Sequence, residues 1–179
     1  MLILNEFKII RDHWYFRIIK RTKPWAIHTE AIDNEHVWKG IQNYVKSGRK
    51  CIWFVVTPVN FDFVHTQSSI TTTKKKWEKL MIERYKWLKD NGQEVQIHVH
   101  LKIKMDLYKN DNVRKKNIND KITKAVKWMR NSGFDTDKIV FGWWSYNDYA
   151  IEVAKKLGLK TMGRLDNYFI HDFDLISYQ

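Results

Sequence analysis

The sequence lacks the features that direct a protein into or across a membrane. No run approaches the roughly 18 consecutive apolar residues of a membrane-spanning helix, and Met1 is not followed by a basic region and an apolar stretch. Because Cys51 is the one cysteine, an intramolecular disulfide cannot form. We therefore expect a cytoplasmic protein whose thiol packs as a small buried hydrophobe.

Glycine-rich phosphate-binding loops are also missing. None of the 7 glycines lies in a G-x-G-x-x-G or G-x-x-x-x-G-K-[ST] pattern, which nucleotide-binding sheets use to hold phosphates. Helix-turn-helix, RNA-recognition and zinc-finger patterns are absent as well. These absences weigh against a nucleotide-binding enzyme, and they leave nucleic-acid binding to depend on charge alone.

Positive charge is what the sequence has in excess. The formal net charge is +12, and such a surface attracts nucleic acid, anionic glycans or anionic lipid. Many of the cations lie between Lys102 and Lys127, interspersed with Asn and Asp. We expect residues 102–119 to form a mobile basic loop, which is either a solvated surface or a contact for an anionic polymer.

The chain length predicts a single domain over residues 1–179, since 179 residues with 44% hydrophobic content fill one core but not two. Residues 1–20 form a possible N-terminal hairpin. Beyond them, apolar runs predict strands, namely PWAIHTE (24–30), CIWFVVTP (51–58), EVQIHVHL (94–101), KIVFGW (138–143) and LKTMG (159–163).

Helix-like segments separate these strands. Apolar residues recur at helical spacing in four segments, which end near Gly48, Asp90, Gly133 and Gly158. Alternation of this kind implies parallel strands joined by right-handed crossovers, in either a doubly wound sheet or a barrel. Because no phosphate loop is present, a (β/α) barrel is the better prediction.

Two histidines close the strand at 94–101. His98 and His100 point to the same face because side chains alternate along a strand, and imidazoles about 6.5 to 7 Å apart can converge on one metal ion. Two neutral histidines hydrogen-bonded inside a barrel would produce the same sequence. In the first strand, His28, Glu30 and Asp33 occupy the equivalent place, and a carboxylate there can complete a three-ligand site.

Several stretches together resemble the polysaccharide deacetylase-like family. The family's metal motif has a His-x-His variant that resembles WLKDNGQEVQIHVH, and the strand two elements earlier resembles CIWFVVTP. A further family segment, in which an Arg-containing motif precedes a helix and a strand, is similar to KIVFGWWSYNDYAIEVAKKLGLKT. The resemblance covers residues 24 to about 175. It implies a distorted, incomplete (β/α) barrel with mainly parallel strands, and metal-dependent removal of acyl groups from N-acetylated sugars.

Roles for individual residues follow from the resemblance and from metal chemistry. Glu30, His98 and His100 are the expected ligands of a divalent transition metal, with zinc preferred over cobalt or nickel. Asp33 is the candidate general base and His171 the candidate general acid. Asp33 is equally well suited to cap a helix, and His171 can be an ordinary surface or core histidine.

The sequence also departs from the family's pattern. Gly142 and Trp143 stand where an arginine is usual, Lys102 stands where the commoner motif has a second histidine, and the family usually continues beyond Gln179 to one more strand with a catalytic histidine. These departures leave open a barrel without catalysis that binds carbohydrate or an anionic polymer. A basic nucleic-acid-binding protein is a third hypothesis.

Two tryptophans follow the strand at 138–143, where a barrel places its site. Aromatic faces stack on sugar rings and on bases, so Trp143 and Trp144 are candidate substrate-binding residues. Packing under the following helix is the alternative.

Overall fold

Strands and helices alternate along the chain as the hydrophobic pattern predicts. A computed structural model describes residues 25–62, 73–101, 110–163, 168–172 and 175. The strands are β1 Trp25–Thr29, β2 Ile52–Val56, β3 Glu94–Val99, β4 Lys138–Phe141, β5 Lys160–Thr161 and β6 Tyr168–His171. The helices that begin and end within these ranges are α1 Glu35–Lys46, α2 Lys74–Asp90, α3 Asp111–Asn131 and α4 Asp148–Lys156.

Polar side chains begin these helices and glycines follow their ends. First-turn backbone N–H groups, which have no partner within a helix, donate to the side-chain oxygens of Asn34, Thr73, Asn110 and Asn147. Beyond the C-terminal ends, left-handed φ angles occur at Gly48, Gly92, Gly133 and Gly158. The predicted helix ends are therefore confirmed.

Helix α3 begins earlier than the sequence predicts. The loop predicted over residues 102–119 is wrong from Asp111 onward, and residues 102–109 lie outside the described part of the chain. The first turns of α3 are polar but suited to a helix, since Asp111 forms an ion pair at 2.8 Å with Lys115, which lies one turn further along. Ile118 extends the buried stripe of the helix toward its N-terminus.

The described sheet contains parallel strand pairs in the order β5-β4-β3-β2-β1-β6. Strands β1 to β5 lie side by side in chain order, and β6 returns to pair with β1. This is the order of a (β/α) barrel opened between β5 and β6. The described sheet is not closed, so the predicted incomplete barrel is confirmed.

The helices described above cover one face of the sheet. Ile27, Val55, Ile97 and Ile139 form one hydrophobic core with apolar residues of α1 to α4. A smaller cluster lies apart from this core and contains Ala26, Ile52, Phe54, Val140 and Met162. Helices on one face suit a barrel, because a doubly wound sheet carries them on both.

Some predictions fall outside the described residues. Residues 1–20, the possible hairpin, are among them, and the single-domain assignment over residues 1–179 stays a prediction. Within the described ranges, no helix has the length and hydropathy of a membrane span. Cys51 is buried as predicted, and burial raises the pKa of its thiol.

Candidate metal centre

Three buried side chains with metal-binding atoms meet at the carboxyl end of the sheet. Glu30 directly follows β1, while His98 and His100 lie at the end of β3. Oε1 of Glu30 is 2.8 Å from Nε2 of His100 and 3.8 Å from Nε2 of His98. One donor atom from each residue lies within 4.8 Å of the other two. The structure thus brings together the three predicted ligands.

His98 provides a test of whether these residues suit a metal ion. Its side chain is fully buried, yet neither ring nitrogen has a hydrogen-bond partner among the described residues. Buried polar atoms are normally hydrogen-bonded, and one without a partner needs an explanation such as an ion. Burial, followed by the neighbouring His28 and His100, holds the pKa of His98 well below its usual range. A neutral imidazole is the form that binds metals, so Glu30, His98 and His100 fit a metal ion.

Glu30 is the negative charge of the cluster. Burial alone would raise the pKa of its carboxyl group, but the hydrogen bond with His100 and the nearby imidazole of His171 outweigh burial and hold the pKa well below its usual range. Nε2 of His171 is 3.7 Å from Oε1 of Glu30. Glu30 is therefore a carboxylate at neutral pH, as a metal ligand must be.

Strand β6 brings His171 to the same place. It pairs in parallel with β1, with His171 in register with His28. Nδ1 of His171 lies 2.9 Å from Oδ1 of the buried Asp172. Burial lowers the pKa of His171, but the Asp172 and Glu30 carboxylates outweigh burial and raise it to about 10. β6 thus brings His171 to the same end of the sheet as the predicted ligands.

Asp172 is a residue that the sequence analysis missed. While Oδ1 faces His171, Oδ2 accepts hydrogen bonds from the backbone N–H groups of Glu30 (3.0 Å) and Ala31 (2.8 Å). One buried carboxylate thus fixes the backbone of a predicted ligand and orients the neighbouring imidazole. Its position next to a candidate acid in the sequence HDFD was a usable signal, but its contact with Glu30 depends on the pairing of β6 with β1.

His28 received no role from the sequence analysis, although it belongs to the cluster. Its ring centroid lies 4.8 Å from that of His98 and 6.4 Å from that of His171. Burial, followed by the charge of His171, lowers the pKa of His28 to about 4. His28 is therefore a neutral group beside the three predicted ligands.

Comparison with solved structures assigns the chain to a known fold. No protein-family profile and no curated protein matches the sequence. A family 4 carbohydrate esterase from Streptomyces lividans, in complex with acetate, matches with a TM-score of 0.57 and 10% identity over 87% of this chain and 82% of its own. A CE4 family pseudoenzyme from Bacillus anthracis matches with a TM-score of 0.52 and 15% identity over 78% of this chain and 43% of its own.

This chain has the polysaccharide deacetylase-like fold. A mutant of the pseudoenzyme, with restored enzymatic activity, matches with a TM-score of 0.54 and 16% identity over 79% of this chain and 45% of its own. The chain spans less than half the length of the pseudoenzyme chains. These TM-scores establish the deacetylase-like fold, and identities this low carry no statement about activity.

Within the deacetylase-like fold, the side chain of Asp33 contacts helix α2. Oδ2 of this buried residue accepts a hydrogen bond from Nε1 of Trp77 at 3.2 Å. The N-cap of α1 is Asn34, whose Oδ1 accepts from His36 at 2.8 Å, so the capping alternative for Asp33 is wrong. The role of Asp33 as general base stays a prediction.

The two tryptophans after β4 lie against the histidines. The Trp143 ring is edge-on to His100 at 4.9 Å between centroids, and the Trp144 ring lies 5.4 Å from His28. Trp143 is 63% exposed, so packing in the core does not account for it. Both residues have a φ of 53°, a left-handed conformation that costs about 1–3 kcal/mol and is often found at functional sites.

Proposed function

We propose that this protein is a metal-dependent hydrolase that removes acyl groups from N-acetylated sugars or a related glycoconjugate. The observation that carries the proposal is the buried group of Glu30, His98 and His100, in which His98 has both ring nitrogens without a hydrogen-bond partner among the described residues. The deacetylase-like fold supports it, since one protein with this fold is a carbohydrate esterase in complex with acetate.

Glu30, His98 and His100 would hold the metal, for which two nitrogen donors and one oxygen donor favour zinc, with cobalt and nickel as alternatives. When bound, such an ion supplies a polarised amide carbonyl and a water of lowered pKa. The Asp172 carboxylate clamps the backbone of Glu30, and this fixes one ligand before any metal arrives.

His171 is the candidate acid of the proposed reaction. The Asp172 and Glu30 carboxylates keep its imidazole protonated, so it can donate a proton to the departing amine nitrogen. Asp33 stays the candidate base, buried on the segment that follows β1. Trp143 and Trp144 flank the histidines, where their faces can stack on a sugar ring.

Metal titration tests the proposal directly. Wild-type protein should bind one zinc ion per chain in calorimetry, and His98→Ala and His100→Ala should each weaken binding at least tenfold. His36→Ala is a matched control, since His36 is an exposed histidine on α1 and should leave affinity unchanged. Wild-type protein that stays metal-free with zinc, cobalt and nickel would contradict the proposal.

An inactive barrel that binds carbohydrate is the second candidate. The observation that favours it is the likeness to a CE4 family pseudoenzyme. Acetate release from N-acetylated chito-oligosaccharides separates the two candidates. A protein that binds zinc and the oligosaccharide but releases no acetate would support the inactive barrel.

A further inference from the structure

The backbone of His100 lies beyond the hydrogen-bonded ladder of the sheet. The last register pairs of β3 are His98 with Val56 of β2 and Val99 with Phe141 of β4. His100 is nevertheless 2% exposed. A buried peptide group needs hydrogen-bond partners, so another part of the chain has to supply them.

The side chain of Asn60 takes the place of a neighbouring strand. Its Nδ2 donates to the carbonyl oxygen of His100 at 3.1 Å, and its Oδ1 accepts from the backbone N–H of His100 at 3.3 Å. A short 3₁₀ turn, Pro58–Asn60, follows β2 and holds the 3% exposed Asn60 next to His100. Both backbone groups of His100 are therefore bound by one amide.

Gly142 lies against the imidazole ring of His100 and leaves room for it. A Cβ atom at this position would lie 2.2 Å from Cε1 and 2.2 Å from Nδ1 of His100, closer than any stable contact. Gly142 does not have a left-handed φ, so the backbone itself accepts other residues. Room for the imidazole is thus what restricts this position to glycine.

We propose that Asn60 and Gly142 are positioning residues for the metal centre, which together fix His100 for ligation. Asn60 binds both backbone groups of His100, and Gly142 leaves room for the imidazole ring of His100. Oε1 of Glu30 contacts this ring at Nε2. The inference rests on the proposed metal site for its functional meaning. The coupling of both residues to His100 can be tested without a metal.

Metal affinity and stability are to be measured together. Asn60→Ala and the nearly isosteric Asn60→Asp should each lower zinc affinity by about 10- to 100-fold, the usual loss when a partner of a metal ligand is removed. Gln93→Ala is the matched control. Gln93 is a buried amide that binds backbone and side-chain groups around Cys51, which precedes β2, and its loss should lower stability while zinc affinity stays within twofold. A comparable loss of affinity in Gln93→Ala would overturn the proposal.

A double-mutant cycle tests Gly142. Gly142→Ala should lower the urea midpoint of metal-free wild-type protein, and it should have little effect in the His100→Ala background, where the clashing ring is gone. Equal shifts in both backgrounds would show that Gly142 does not act through His100. If wild-type protein binds no metal, the proposed function fails, whereas this cycle still decides whether the two residues are coupled.

Discussion

At the scale of single residues, Glu30 decides whether the cluster is a ligand set. Glu30→Gln keeps the shape and removes the one charge that, within the described part of the chain, contacts His98, His100 and His171 together. We expect zinc affinity and any acetate release to fall tenfold or more, because an amide is a poor ligand for zinc. An exposed acid would change stability by only about 0.5 kcal/mol, so Glu152→Gln, on the exposed face of α4, is a suitable control.

Calorimetry measures the zinc affinity of Glu30→Gln, and circular dichroism checks that the variant is folded. If Glu30→Gln binds zinc as wild-type protein does, Glu30 is not a ligand, and the proposed site has to be rebuilt around the histidines alone.

Asp172 sets the protonation of His171, which has a pKa raised to about 10 from 6.5. The protonated form is stabilised on folding, so its contribution is fully present below pH 6.5 and is lost as the pH rises through about 10. Asp172→Asn removes this charge, and the pKa of His171 should fall toward its ordinary value. Ring nitrogen shifts of His171 in metal-free protein, followed by NMR from pH 5 to 11, measure this. An unchanged titration would show that Asp172 does not hold the proton.

At the scale of elements, the glycine after α3 offers a test of backbone strain alone. Gly133 has a φ of +87°, and a Cβ there would meet nothing within 4 Å. Gly133→Ala should therefore destabilise the protein by about 1 kcal/mol through conformation only, and Gly133→Asn by less, since Asn tolerates this region better. Urea unfolding provides the measurement, and equal stability of Gly133→Ala and wild type would contradict the assigned helix end.

The sequence predicted those elements whose pattern is local. β-branched and aromatic runs revealed β2 and β3, and glycines marked the helix ends. The start of α3 was missed because its first turn has hardly any apolar residue to reveal a helical period. β6 was missed because its place in the sheet depends on its pairing with β1, which lies at the opposite end of the described chain.

The residues of the site also divide into those that the sequence predicted and those that it did not. Glu30, His98 and His100 came from positions at strand ends, which the order of the strands brings together. Asn60, Gly142 and Asp172 could not be found in this way, because their roles depend on contacts with residues 40 or more positions away. Such contacts follow from tertiary packing, which carries no local periodicity.

At the scale of the whole molecule, the net charge of +12 predicts electrostatic attraction of anionic polymers. Within the described residues, α2 and α3 carry exposed lysines such as Lys75, Lys79, Lys116 and Lys124, and no base-reading motif accompanies them. We expect single-stranded DNA to bind weakly and to be released by moderate salt, as purely electrostatic contacts are. Fluorescence anisotropy at 50 and 200 mM salt tests this, and tight binding at the higher concentration would favour the nucleic-acid hypothesis.

The pairing of β6 with β1 has a consequence for how the protein is made. Asp172 contacts Glu30 across 142 positions of the chain, so this contact and the placement of His171 cannot form until nearly all of the described chain has left the ribosome. Strands β1 to β5 can pair in order during synthesis, while the exposed edge of β1 waits for its last partner. A nascent chain arrested before residue 168 should therefore contain a partly formed sheet with an open edge, and that intermediate is the species most exposed to chaperones and to aggregation.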